Sequence, residues 1–524
     1  MSHKRICLIT PPSPFLLDER VFMHIGILKV ASALEAKGYK IDFLDFASVE
    51  NYNDALAAYI SSNSDVKTFG VTATTPQIPY AFNISKYIKK KLPDSKVILG
   101  GTHPSLMYAA RKTEKKNGLI GRATNHINLL LNNFDILVVG DGEKAIFEAF
   151  KINKGIVDAD NPKSRLFLTN DELTAASFPA RHLIDIHSYR YEIDGLKAIS
   201  IMCQLGCPFN CTFCGGRNSS FLRRIRTRSS DSVIEEIKHL YSTYGFKAFM
   251  FYDDELNVNK EWEILLKKLI ITQHELKVKF RFRGFIKAEL FTQKQADLMY
   301  EAGFRWLLTG FESGDEHILI NIKKNADVAA NTKCIQFAKN AGIKVKALMS
   351  IGHAGESISS IENTKNWLLK VKPDDFDCTI ITSYPGTAYF DEAKFDGNKY
   401  IYTQPISGDK LYQKNLDYIN EPDYYKGDPN GGYRAYVWTD YISSEELVIA
   451  RDNLEKEVRN SLNIPFNYAG ASIKFEHSMG QGQISSMIFK SNYSKEITKS
   501  PQNSFKPITK TVRRKSQIKK CAFN

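Results

Sequence analysis

Short apolar runs alternate with stretches of helical length and spacing along most of this 524-residue chain, and that alternation constrains the fold more than any other feature. In the first part the runs are Arg5–Thr10, Lys40–Asp45, Lys67–Thr72, Lys96–Leu99 and Asp135–Val139. Helical stretches lie at residues 22–37, 53–61, 78–92 and 144–151. This pattern predicts a doubly wound, Rossmann-like parallel sheet over residues 1–155, followed by a linker over 156–195. The polar stretch 109–133 is longer than a crossover needs and reads as an insertion. From 196 to 387 the runs are 198–202, 247–252, 278–283, 305–310, 344–351 and 376–382, with helical stretches between them. Six such βα units predict a partial, TIM-like (β/α)6 barrel and an α/β chain overall. Ser232 and Glu235 have capping-box spacing at the start of the first barrel helix. A helical or irregular extension, rich in aromatics, is expected over 388–467.

The net charge of +13 is concentrated at one end. Residues 480–524 carry ten Lys or Arg against the single acid Glu496, a net of +9. The segment 468–524 is therefore expected to be a disordered, basic tail, with nucleic-acid or membrane contact as a candidate role and a solvated tail as the plain alternative. No run of about 18 apolar residues predicts a membrane span. The first residues lack the pattern of a signal peptide, so a cytoplasmic protein is expected.

Turn residues collect after the runs of the first part: Pro11-Pro12-Ser13, then Thr72-Ala73-Thr74-Thr75-Pro76, Gly100-Gly101-Thr102-His103-Pro104 and Gly140-Asp141-Gly142-Glu143. In open α/β sheets ligands bind at these carboxyl ends, and glycine lets backbone approach them closely. Tight βα turns without a ligand would look similar. No G-x-G-x-x-G occurs, which disfavours a dinucleotide.

Of eight cysteines, four fall within 203–214, in C-Q-L-G-C-P-F-N-C-T-F-C. Cys207, Cys211 and Cys214 form C-x3-C-x2-C. Three thiolates can hold three irons of a [4Fe–4S] cubane and leave the fourth iron open. A structural zinc site, with Cys203 as fourth ligand, is the alternative. Cys203 ends an apolar run and reads rather as a packed strand residue.

The C-x3-C-x2-C loop, with Phe213 before its last cysteine, resembles the radical S-adenosylmethionine (SAM) superfamily. The lead-in Gly206-Cys207-Pro208-Phe209-Asn210-Cys211 and the upstream Phe178-Pro179-Ala180-Arg181 resemble its cobalamin-binding branch. So do Arg226-x-Arg228-Ser229, Asp253-Asp254, Glu312-Ser313-Gly314, Pro385-Gly386-Thr387, Gly100-Gly101-x-His103-Pro104 and Gly140-x-Gly142-Glu143.

The resemblance implies three cofactors: the cluster on Cys207, Cys211 and Cys214, SAM and cobalamin. SAM would contact Phe213, Asp253, Asp254, Arg283, Glu312, Ser350, Tyr384 and Pro385. Cobalamin would contact Pro11, Thr72, Thr74, Thr75, Gly100, Gly101, His103, Gly140, Gly142 and Glu143, with His103 better read as a satisfied turn histidine than a cobalt ligand. The implied activity is reductive cleavage of SAM to a 5′-deoxyadenosyl radical and cobalamin-dependent methylation of an unactivated carbon. A cobalamin-binding cyclase or oxidoreductase is the alternative, with a nucleic-acid-modifying enzyme, a methylthiotransferase and a non-catalytic cobalamin sensor behind it. The expected partners are a small-molecule or peptide substrate and an electron donor such as flavodoxin or ferredoxin.

Overall fold

A computed structural model describes residues 5–13, 16, 19–421 and 433–465, together with two isolated pairs of two-residue strands between 487 and 513. The expectations for the basic tail otherwise fall outside the described residues.

The first sheet contains six parallel strands: β1 (Arg5–Thr10), β2 (Lys40–Asp45), β3 (Thr68–Thr72), β4 (Lys96–Gly100), β5 (Ile136–Gly140) and β6 (Gly155–Ala159). Their order is β2-β1-β3-β4-β5-β6, so the sheet turns outward in both directions from the β1/β3 junction. Two features depart from the sequence reading. The stretch 109–133 is no insertion: it is the second half of α4 (Thr102–Lys116) and all of α5 (Arg122–Asn133). These helices pack together as a two-helix crossover between β4 and β5, which explains the polar faces. β6 falls at the expected domain boundary, where its Gly, Asp and short length hid it from a search for apolar runs.

The second sheet begins with β7 (Tyr191–Ile193), antiparallel to β8 (Leu196–Ile201). The parallel strands β9 (Ala248–Phe251), β10 (Arg281–Phe285), β11 (Phe304–Glu312), β12 (Lys344–Ile351) and β13 (Asp375–Ile380) follow in sequence order across the sheet. With β8 they make the six expected parallel strands of an open barrel. The first barrel helix, α7 (Ser230–Tyr244), is capped by Ser229, whose side chain accepts from the Ser232 N–H. The helix therefore starts one turn before the capping box expected at Ser232 and Glu235, which does not form. Side chains alternate along each strand. Phe249, Phe251 and Phe282 face the outer helices, whereas Ala248, Met250 and Leu308 face inward.

The extension is more β than expected. It is an antiparallel sheet of β14 (Lys394–Asp396), β15 (Lys399–Thr403), β16 (Lys410–Lys414) and β17 (Val437–Trp438), followed by the long helix α8 (Ser444–Leu462). β16 alternates buried Leu411 and Gln413 with more exposed Lys410, Tyr412 and Lys414, a half-exposed strand pattern that aromatic composition alone conceals. No helix among the described residues is long and apolar enough to cross a membrane.

Candidate active site at the junction of two sheets

The cysteine loop leaves β8 and is fastened on several sides. Cys207 N–H donates to the Leu222 carbonyl at 3.0 Å, and Thr212 N–H to that of Ile322 at 2.9 Å. Ala388 N–H donates to the Thr212 carbonyl at 2.9 Å. Gly206 has φ +87° and lies so close to Arg224 that a side chain would collide with its carbonyl. Arg223 binds the loop from one side: it donates to Cys214 Sγ at 3.1 Å and to the carbonyls of Phe209 at 2.8 Å and Gly215 at 2.6 Å.

Two further cations, Lys287 and Lys324, lie buried beside Cys211. Lys287 Nζ sits 4.5 Å from the Phe209 ring and donates to the Lys324 carbonyl at 2.8 Å. Lys324 Nζ is 3.3 Å from Glu312. Burial pushes the Cys207 thiol up to about 12 and raises Cys211, against the pull of the lysines. Iron binding at such thiols must release protons, and the surrounding cations suit the anionic cluster that results. Among the described residues no three His, Cys, Asp or Glu side chains converge on a point where one metal ion could sit. A cubane needs no such convergence, since each thiolate binds its own iron.

Glu312, Ser350, Phe213, Tyr384 and Pro385 are gathered around this loop. Ser350 Oγ donates to Glu312 at 2.7 Å and contacts His353 Nε2 at 2.8 Å. The His353 ring is 5.4 Å from that of Phe213 and 3.1 Å from the Tyr389 hydroxyl. The turn Tyr384-Pro385-Gly386 passes against the loop, where Arg217 N–H donates to the Gly386 carbonyl at 3.1 Å.

The two aspartates diverge. Asp254 faces the cavity described below. Asp253 points into the protein, where one carboxylate oxygen accepts from the Cys203 N–H at 2.9 Å and from the Gln204 N–H. Its position corrects the expectation of a SAM contact: it shapes the turn from β8 into the loop. Burial pushes its carboxyl up to about 7.

Arg283 lies buried within the barrel. It pairs in register with Trp306, near the start of β11, and its guanidinium lies 5.4 Å from that ring and 5.8 Å from Tyr191. It is not among the residues lining the cavity described below.

A cavity of about 670 Å³ lies between the sheets. One wall consists of first-sheet turns: Thr72, Thr74, Thr75, Gly100, Gly101, Gly140, Gly142 and Glu143. The opposite wall includes Gln204, Leu205, Gly206 and Gly215 of the cysteine loop, with Tyr252, Asp254 and Tyr384. Gly26 and Gly100 leave open space where a Cβ would stand. At Gly101, with φ +99°, a Cβ would meet the Ala73 backbone at 2.8 Å, so this backbone must pass close to the neighbouring turn. A chamber with bare backbone on one wall and the cysteine loop on the other fits a large, flat cofactor facing a cluster.

Two expected cobalamin contacts fall outside it. The Pro11 carbonyl is taken by the Gln77 side chain at 2.9 Å. His103 is fully buried behind the wall, 3.0 Å from Thr75 Oγ1 and 2.8 Å from His126 Nε2. It supports Thr75, as a satisfied turn histidine would.

Arg223, Lys287, Lys324, Glu255 and His24 were not singled out from the sequence. Arg223 lies outside the short cysteine motif, Lys287 lies just past β10, and Lys324 follows the short helix Glu316–Asn321. Glu255, pushed up to about 7 by burial and with one unpartnered oxygen, follows the Asp pair that drew attention.

The fold and the loop define a radical SAM domain joined to a corrinoid-binding one. Comparison with known proteins agrees: the B12 binding domain matches residues 20–131 and the radical SAM superfamily matches residues 201–368. The chain belongs to the cobalamin-binding radical SAM enzymes, whose cofactors are a [4Fe–4S] cluster, SAM and cobalamin. It is 26% identical over 411 residues to an uncharacterized methyltransferase of Pyrococcus horikoshii, covering 75% of this chain and 84% of that protein. It is 25% identical over 388 residues to an anaerobic magnesium-protoporphyrin IX monomethyl ester cyclase of Cereibacter sphaeroides, covering 68% and 60%. Its fold matches the radical SAM methyltransferase TsrM of Kitasatospora setae, solved with cobalamin and a [4Fe–4S] cluster, at a TM-score of 0.59 and 16% identity over 91% and 92% of the two chains.

Proposed function

We propose that this enzyme methylates an unactivated carbon of a small molecule. The observation that carries this reading is the single chamber, in which the first-sheet turns face the cysteine loop across one space. When bound, the cluster and SAM supply a carbon-centred radical and cobalamin supplies a methyl group. The chain's own residues bind and orient. Cys207, Cys211 and Cys214 hold the cluster, and Arg223 fixes their loop. Asp254, Glu312 and Ser350, with Phe213, Tyr384 and Pro385, form the proposed SAM site; Asp254 would accept the ammonium and Glu312 the ribose hydroxyls. Thr72, Thr74, Thr75, Gly100, Gly101, Gly140, Gly142 and Glu143 would line the cobalamin. Reducing equivalents would come from a flavodoxin or ferredoxin.

The cyclase relative favours a second reading, ring closure without methyl transfer. Anaerobic reconstitution with iron, sulfide and cobalamin, followed by SAM carrying a labelled methyl group and a reductant, separates them. Methylation predicts label moving from SAM to cobalamin, together with 5′-deoxyadenosine. Deoxyadenosine with no label on cobalamin would favour cyclisation. Neither product in the wild type, or both in a triple Cys207→Ala, Cys211→Ala, Cys214→Ala variant, would refute radical chemistry at this loop.

A further inference from the structure

His24 is the one histidine among the described residues lining the chamber. It stands immediately before α1 (Ile25–Glu35) yet makes no capping bond to that helix. Histidine is a poor helix cap, so the start of α1 does not explain the residue. Among the described residues its ring has one side-chain neighbour at hydrogen-bond range: Nε2 lies 3.4 Å from Gln77 Nε2. The orientation of that amide is fixed. Gln77 Oε1 accepts from the Thr74 N–H and hydroxyl, both at 3.0 Å, and Gln77 Nε2 donates to the Pro11 carbonyl at 2.9 Å. The nitrogen facing His24 is therefore a donor, and His24 Nε2 presents its lone pair. At 3.4 Å the contact is longer than a good N–H hydrogen bond, so little is lost by exchanging it.

We infer that His24 is the protein's axial ligand to the cobalt of the bound corrinoid, through Nε2, exchanging its long contact with Gln77 for the metal. The inference rests on the cobalamin reading of the chamber. The imidazole lone pair would be donated to cobalt in place of water or of the cofactor's own base. No electron or proton is transferred. Imidazole is a common ligand for such metals. His103, the histidine that the turn motif offers, cannot serve, because both its ring nitrogens are engaged behind the wall.

The test uses the full chain loaded with hydroxocobalamin, with retention measured by equilibrium dialysis, and then reduced to divalent cobalt for electron paramagnetic resonance. Coordination by His24 predicts cobalt lines split into triplets by one axial nitrogen, and into doublets when the protein carries histidine labelled with the heavy nitrogen isotope. The His24→Ala and His24→Gln variants should retain cobalamin and lose the doublets. Triplets that persist in labelled protein would assign the ligand to the cofactor's own base and overturn the proposal. So would lines without nitrogen splitting, or doublets that survive in both variants. A wild type that retains no cobalamin would overturn the cobalamin reading itself, an outcome the dialysis separates from the others.

Discussion

Arg223 holds the cysteine loop by donating to a thiol and to several loop carbonyls. A charged hydrogen bond contributes about 1.5–3 kcal/mol, and a planar guanidinium can serve acceptors that a lysine's point charge cannot. Both Arg223→Ala and Arg223→Lys should accelerate loss of iron to a chelator, by tenfold or more for alanine, while the apo-protein unfolds within a few degrees of wild type. Unchanged iron release would show that the loop holds its shape without this side chain. Glu356 gives a second test at this scale. Its carboxylate accepts from Gly352 N–H at 3.0 Å and Ser360 Oγ at 2.5 Å, yet burial pushes it up to about 7 from 4.5. The native state then keeps a proton that the unfolded chain has lost. This stabilisation is complete below about pH 4.5 and disappears as pH rises through about 7, on the order of 3 kcal/mol in all. Glu356→Gln should flatten the pH dependence of the urea midpoint in that window; an identical slope in wild type and variant would contradict the assignment.

At the scale of elements, the exposed edge of the open barrel is the chief structural problem. β13 has no strand beyond it, and unpaired edge groups invite association. Helix α8 answers with side chains. Glu455 accepts from the Cys378 N–H at 2.7 Å, Arg451 donates to the Cys378 carbonyl at 2.9 Å, and Arg459 donates to the Phe376 carbonyl. Tyr433 supplies a hydroxyl to the Ile380 N–H at 2.9 Å. Arg459 also binds Glu455 at 2.6 Å. Read as sequence, Arg451, Glu455 and Arg459 at helical spacing look like a solvated charge ladder, because nothing local reveals that their partner is backbone. All are buried. Removing the acid leaves buried guanidinium groups without a counter-charge, so Glu455→Ala should cost about 3–5 kcal/mol. Glu455→Gln, which keeps an acceptor for the edge N–H, should cost less. Equal losses in urea unfolding would mean that the charge, and not the strand edge, is what Glu455 serves.

At the scale of the whole molecule, what the sequence made legible was what repeats. Apart from β6, the parallel strands of both sheets lie within a few residues of their apolar runs, and the cysteine loop lies at the end of its strand, because periodicity and motif are local signals. The joint between the sheets was not legible, since its parts are far apart along the chain: Asp160, just past β6, accepts from Ser219 Oγ at 2.8 Å and Phe221 N–H at 2.7 Å. Asp141 binds Arg226 of the barrel and accepts from the Leu168 N–H at 2.8 Å, while the Arg226 guanidinium lies 4.1 Å from the Phe167 ring. Asp141 sits in the chamber wall between two glycines that also line it, so this ion pair couples wall position to barrel position. Breaking a buried pair by removing one partner costs about 3–5 kcal/mol. Because the pair spans the two sheets, that cost should fall on the joint and spare either core. Arg226→Met should therefore raise the dissociation rate of bound cobalamin and speed proteolysis between residues 160 and 195, while leaving the iron content of reconstituted protein near wild type. Loss of iron in parallel with cobalamin would instead place Arg226 among the supports of the cysteine loop, and an unchanged cobalamin off-rate would show that the chamber wall is held without it.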